Sequence, residues 1–332
     1  RLDLAKSYNN YGILIQTNRR FPDSAAAYGK GLDLLEKLVQ EFPGIPDYQQ
    51  ELALTLLNLA TVLQASDKEV EAEKAYRRAK EEWERVLAQQ SESSTCLFQS
   101  ARTLYLLATL LQTHSQLDEA EKLHRSALAK FKPLAERNPQ EPDFAFDLAG
   151  CLNNLGDLLR ATNRPKEALE VWQEAEKALK ELARSFPKRP IYAQEEAKTL
   201  HNQGVVLNLL GRFQDAEKAH NQAIAIRQQL VDDFPNEPVH KQKLARSHGE
   251  LGIILASRNQ LEKSEEAFRK AIELIDGLEK KYPDQAEYWQ DELIFQDNLA
   301  QLTQALGHRD DAEKCQRRVK ELKEKLAKAG SK

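Results

Sequence analysis

Residues 151–182 read CLNNLGDLLRATNRPKEALEVWQEAEKALKEL. With Leu148 just ahead, Leu152, Leu155, Leu158 and Leu159 share one helical face, and Ala168, Leu169, Trp172, Ala175, Leu179 and Leu182 share another. Between the two runs lies ATNRP, residues 161–165, where asparagine tolerates the left-handed conformation that ends a helix and Pro165 suits the first turn of the next. The stretch therefore predicts two amphipathic helices of about 19 residues each, joined by a tight turn. Asn153 and Asn154 interrupt the first apolar face, although asparagine competes for backbone hydrogen bonds and is a mediocre helix former.

Moving outward from Gly156 in steps of 48 residues meets Gly12, Ala60, Ala108, Gly204, Gly252 and Ala300. The same step carries Ala168 to Ser24, Ala72, Ala120, Ala216, Ser264 and Ala312, and Trp172 to Tyr28, Tyr76, His124, His220, Phe268 and, in the last copy, Gln316. The turn column reads Asp67, Ser115, Asn163, Gly211, Asn259 and Gly307. A second break recurs as FPGIPDY, NPQEPDF, FPKRPIY and FPNEPVH, whose paired prolines stop one helix and set up the next. Phased on the small-residue column, the copies run 4–51, 52–99, 100–147, 148–195, 196–243, 244–291 and 292–332. A lone helix pair cannot bury both apolar faces, so the copies are expected to stack into one all-α array. In the last copy KCQRRVKELKEKLAK is charged enough to end the stack in water.

These columns resemble the tetratricopeptide repeat: a large residue, Leu-Gly or Leu-Ala, then Ala-x-x-x-aromatic and a further Ala, met here by Leu152, Leu155-Gly156, Ala168, Trp172 and Ala175. The family's usual unit is 34 residues, so a 48-residue unit implies longer helices. The resemblance implies a right-handed α-solenoid, with first helices lining a concave groove and second helices outside. Long units of this kind are similar to arrays attached to bacterial Ser/Thr protein kinases of planctomycete type.

Composition agrees with a helical protein. Of 332 residues 30% are charged and 7% aromatic, with only 13 glycines and 12 prolines, which disfavours β-rich folds and long coils. A net charge of −4 leaves no footprint for nucleic acid or an anionic membrane, and no apolar run is long enough to span a bilayer. Cys96, Cys151 and Cys315 are too few and too scattered for a disulfide framework or a metal site, which suits a reducing cytoplasm. The absence of methionine, even at position 1, is the expectation for a piece of a longer chain, and the first helix reads as cut short ahead of Arg1.

The resemblance places ligands, as extended peptides, on the second, fifth, sixth and ninth positions of the first helix. The sixth position holds Asn10, Asn58, Leu106, Asn154, Asn202, Glu250 and Asn298. A side-chain amide both donates and accepts, so such a row suits a peptide main chain of any sequence; it equally suits bonding between adjacent helices. The second position holds Lys6, Leu54, Arg102, Gly150, Lys198, Arg246 and Ile294, and its four cations resemble a carboxylate clamp and would bind with charge assistance. The fifth varies, with Asn9, Leu57, Tyr105, Asn153 and His201, as a selectivity position would. Leu54, Leu57, Tyr105 and Leu106 together suggest an apolar stripe.

Signatures of catalysis are absent. There is no HExxH, GxSxG, phosphate loop or dinucleotide loop, and His124, His220 and His240 occupy columns otherwise held by aromatic rings. No enzyme activity, cofactor or metal is expected. The expected role is a scaffold gripping a protein or peptide partner in the groove, within a larger signalling protein. The alternative is an intramolecular region regulating a kinase-like domain ahead of Arg1. Self-association into a homo-oligomer is a third possibility, and RNA binding conflicts with the negative charge.

Overall fold

The computed structural model describes residues 1–329, and the last three residues of the seventh copy lie outside the described residues. The described residues form fourteen helices and no strand. The first helices are α1 (Leu2–Thr17), α3 (Pro46–Ala65), α5 (Ser94–Thr113), α7 (Pro142–Ala161), α9 (Pro190–Leu209), α11 (Pro238–Ser257) and α13 (Ala286–Ala305). The second helices are α2 (Phe21–Glu41), α4 (Glu69–Gln89), α6 (Leu117–Arg137), α8 (Pro165–Ser185), α10 (Phe213–Asp233), α12 (Leu261–Lys281) and α14 (Arg309–Ala329). After α1, which has 16 residues, every first helix has 20 and every second helix 21.

The punctuation is chemical. Pro46, Pro142, Pro190 and Pro238 begin first helices, where a missing N–H leaves nothing unsatisfied. The helix pairs therefore start at Pro46 and its equivalents, ahead of the sequence copies, which were phased on the small-residue column and cut each first helix internally. Every turn inside a pair carries one residue at positive φ: Arg19, Asp67, Ser115, Asn163, Gly211, Asn259 and Gly307, between 56° and 81°. Six of the seven are the expected turn column, rich in residues for which the left-handed region carries little penalty.

The chain divides into two compact units, Arg1–Ala178 and Leu179–Lys332, with the division inside α8. In the first, Tyr28, Tyr76, His124 and Trp172 are wholly buried, each in the ring column of its copy. In the second, His220 and Phe268 continue that column. A β-carbon on Gly156 would overlap the Trp172 indole, which explains the absent side chain there. Serine replaces alanine in the adjoining column at Ser24 and Ser264, and each hydroxyl donates at 2.7 Å to a first-helix carbonyl, that of Gly12 and Gly252 respectively. Burial pushes His124 and His220 down to about 4, with the Arg227 charge adding to it at His220, so both rings are neutral packing groups near neutral pH. His240 is likewise buried, beside the Phe234 ring.

Within each unit, second helices of successive copies are laced on their outer side by ion pairs, among them Arg78–Glu36 at 2.6 Å, Arg77–Glu119 at 2.7 Å, Lys132–Glu174 at 2.8 Å and Arg269–Asp311 at 2.7 Å. Such exposed pairs contribute little each, roughly 0–1 kcal/mol, and serve alignment more than stability.

Candidate functional site

The first helices carry their own cross-copy bonds, and these decide what the candidate residues can do. In the first unit, Asn58 Nδ2 donates to Asn9 Oδ1 at 3.0 Å, and Asn154 Nδ2 donates to the Thr109 hydroxyl at 3.0 Å. A sixth-position residue thus reaches the fifth or ninth position of the copy before it. In the second unit the same geometry joins His201 Nδ1 to Glu250 at 3.1 Å. Asn298 instead donates to Ile294 O of its own helix at 2.8 Å, while Asn10 is exposed and Asn202 partly buried. The asparagine row is therefore in part a stacking device.

The second-position cations are also engaged. Lys6 lies 3.3 Å from Glu51, Arg102 3.5 Å from Asp147 and Arg246 2.9 Å from Asp291, each acid sitting early in the next first helix. Lys198 is more loosely placed, 3.8 Å from Glu195 of its own helix. Burial outweighs the pull of Arg102 at Asp147 and pushes that carboxyl up to about 6.

At the fifth position, Asn9, Leu57 and Asn153 are only 5%, 3% and 3% exposed. All three are therefore buried in the free chain, and Asn9 also accepts from Asn58 of the next copy. Tyr105 and His201 keep partial exposure. Tyr105 leans over Gly150 of the next copy, where a β-carbon would come within 3.0 Å of its hydroxyl. The apolar stripe shrinks accordingly to the partly exposed Leu54, Tyr105 and Leu106.

One residue escaped the sequence reading. Arg227, on α10, lines a cavity of about 160 Å³ together with Gln194, Glu195, Lys198, His201, Lys243, Arg246 and Glu250, four cations against two carboxylates. The signal for it was present in the 48-residue register, where its column is apolar through Leu35, Trp83, Phe131, Leu179 and Ile275 and carries a second cation, Lys323, only in the last copy.

Elsewhere, the carboxylates of Asp276, Glu279 and Glu292 lie within 4.8 Å of one another. Arg318 donates to Glu292 at 2.8 and 2.7 Å and to Glu279 at 2.6 Å, and Lys325 donates to Glu279 at 2.6 Å. Two of the three carboxylates are thus held by the chain's own cations. Cys96, Cys151 and Cys315 are free and buried, and burial pushes the Cys151 thiol well up, away from reactivity. No helix among the described residues is long and apolar enough to cross a membrane.

A tetratricopeptide-repeat family model matches residues 148–177 and 197–236, and a second such model matches 245–276. No curated protein sequence matches the chain. Among solved structures, BtubC from P. vanneervenii aligns at 21% identity and a TM-score of 0.55, over 77% of this chain and 91% of that one. The apo form of RapI aligns at 14% identity and 0.56, over 98% and 99%. A STAND signal-transduction ATPase with a tetratricopeptide-repeat sensor, from Pyrococcus horikoshii, aligns at 13% identity and 0.64, over 98% of this chain and 42% of that one. At these identities the structures speak to fold alone. With the turn column at positive φ, the ring column buried and helix pairs repeating every 48 residues, the described residues form an all-helical repeat protein in which residues 148–177, 197–236 and 245–276 are tetratricopeptide repeats.

Proposed function

We propose that the protein is a protein-interaction module whose first-helix face holds an extended segment of a partner. The observation that carries this reading is the state of the amides at Asn58 and Asn154. Each spends one N–H on the preceding copy, which fixes the plane of the amide. Among the described residues the carbonyl oxygen and second N–H of each have no partner. A half-committed amide is a pre-oriented donor and acceptor, the pair that an extended backbone presents in return. Stacking and binding are then two uses of one side chain.

The test is a double variant, Asn154→Ala with Asn202→Ala, probed on an array of random octapeptides and by urea unfolding. Loss of the Asn154–Thr109 bond is expected to lower stability by about 1 kcal/mol, with helicity intact. Array binding is expected to fall several-fold across sequences, since a main-chain grip is indifferent to side chains. Unchanged array binding with a normal fold would sink the reading. Unfolding of the array at room temperature would show the amides to be structural only.

A further inference from the structure

Five of the seven copies fill one position of the second helix with buried apolar side chains, Leu35, Trp83, Phe131, Leu179 and Ile275; the last copy has Lys323 there, and the copy between Leu179 and Ile275 has Arg227. Arg227 is partly buried, and lost hydration presses its guanidinium below the usual arginine range. It donates to the Ser247 hydroxyl on α11, and among the described residues no carboxylate forms an ion pair with it. Glu250 acts on it through space, but that carboxylate already takes His201 Nδ1 at 3.1 Å.

The rest of the guanidinium fork faces the cavity between α9 and α11. Lys243 donates there to the neutral Gln194 amide at 3.1 Å, and Lys198 stays 3.8 Å from its nearest acid. Of the four cations only Arg246 is closely paired, with Asp291 at 2.9 Å. A guanidinium has five donors in a planar fork matched to carboxylate and phosphate, and one held partly dry with a hydroxyl as partner is stabilised by an incoming anion. An apolar residue would fill this column without that unmet demand, as it does in five other copies.

We propose that this cavity is an anion pocket, in which Arg227 holds a carboxylate or phosphate group of the partner segment. The proposal rests on the peptide-binding reading above and adds a charge requirement at one point of the second unit. Lys198, Lys243 and Arg246 surround the anion and Arg227 forms its floor.

Two measurements test it. The first compares thermal unfolding in inorganic phosphate and in chloride at matched ionic strength, for the wild type, Arg227→Leu and Lys243→Gln. Phosphate is expected to raise the wild-type midpoint by several degrees and Lys243→Gln by less, and to leave Arg227→Leu with only the general salt effect. Arg227→Leu restores the column's apolar character and is expected to fold; Lys243→Gln leaves the core untouched, so the charge test does not depend on that expectation.

The second probes octapeptide arrays whose central residue is fixed as glutamate, glutamine or phosphoserine. Glutamate or phosphoserine is expected to outperform glutamine by about tenfold on the wild type, the size of one charge-assisted bond, and by nothing on Arg227→Leu. The winner of the two tells a carboxylate pocket from a phosphate pocket. A phosphate effect that Arg227→Leu retains, or none at all, overturns the pocket. Array binding that ignores central charge overturns it while leaving the peptide groove standing. A phosphate effect that depends on Arg227, with no array binding, keeps the pocket and removes the peptide.

Discussion

Replacing Trp172 by alanine is expected to destabilise the first unit by about 3–5 kcal/mol, the range for truncating a large aromatic in a packed core. Trp172 is wholly buried, and its indole Nε1 donates to Asn153 O at 3.2 Å, so the change empties a large volume and removes a buried hydrogen bond together. Because copies in a repeat array lean on their neighbours, the loss is expected first as faster amide exchange in α7, ahead of any global transition. Urea unfolding followed by circular dichroism, with exchange read segment by segment, measures both. A loss under about 1 kcal/mol would mean that the ring column does not carry the packing assigned to it. The partner position gives a sharper form of the same test. Gly156→Ala forces a β-carbon into the indole, with an expected cost of about 1–3 kcal/mol against a helix-propensity gain of about 1. Copy two holds Ala60 with a buried Tyr76 in the equivalent places. The pair Gly156→Ala with Trp172→Tyr should accordingly lose less than the sum of the single changes.

That copy two already contains a working solution shows why the fold was so legible. Helix ends, turns and rings depend on residues close in sequence, and a 48-residue register repeats each environment until an exception stands out. The Asp67 and Asn163 turns, the Pro190 helix start and the burial of His124 all follow from local chemistry of that kind. The face of the first helices is a different matter. Whether Asn153 or Asn154 looks outward depends on how far one first helix is offset against the next, and nothing local to either residue sets that offset. Once Asn154 is seen to reach Thr109, and Arg246 to reach Asp291, the pairing rows become readable: sixth position to ninth, second position to an acid early in the next helix. Asn9, Leu57 and Asn153 come to the ligand face through the resemblance, and their burial is the part that helical periodicity alone does not give. Arg227 was hidden for the opposite reason, as one more charged residue on helices already rich in charge, although its column marks it as foreign.

The acidic cluster of the second unit leads to the other large expected effect, in Arg318→Met. Glu292 is 1% exposed and depends on Arg318 for two hydrogen bonds, while Glu279 receives a third. Methionine keeps the apolar stem of the side chain and deletes the charge, leaving a buried carboxylate beside Asp276 and Glu279. The expected loss is about 3–5 kcal/mol at neutral pH, the range for removing one partner of a buried pair. Its pH dependence has a definite sign. In the wild type, burial alone would raise Glu279, but the Lys325 hydrogen bond and the Arg318 charge bring it below its ordinary value. A depressed carboxylate stabilises the fold above the unfolded value near 4.3 and loses that contribution as pH falls through the folded one. Without Arg318, burial and the neighbouring acids dominate, as they already do at Asp276, which burial raises. Proton uptake then relieves the variant, so its deficit should shrink between pH 7 and pH 5 while the wild type changes little. Urea midpoints at the two pH values decide this, and a deficit that grows on acidification would show that charge repulsion is not its source. The column supplies the rescue: Leu4, Leu52, Leu148 and Leu244 stand where Glu292 does. Glu292→Leu combined with Arg318→Met should therefore recover most of the stability, because well-packed apolar replacements of a buried pair are often neutral or better. Recovery would mean that the charges at this end of the array are retained for something other than holding it together.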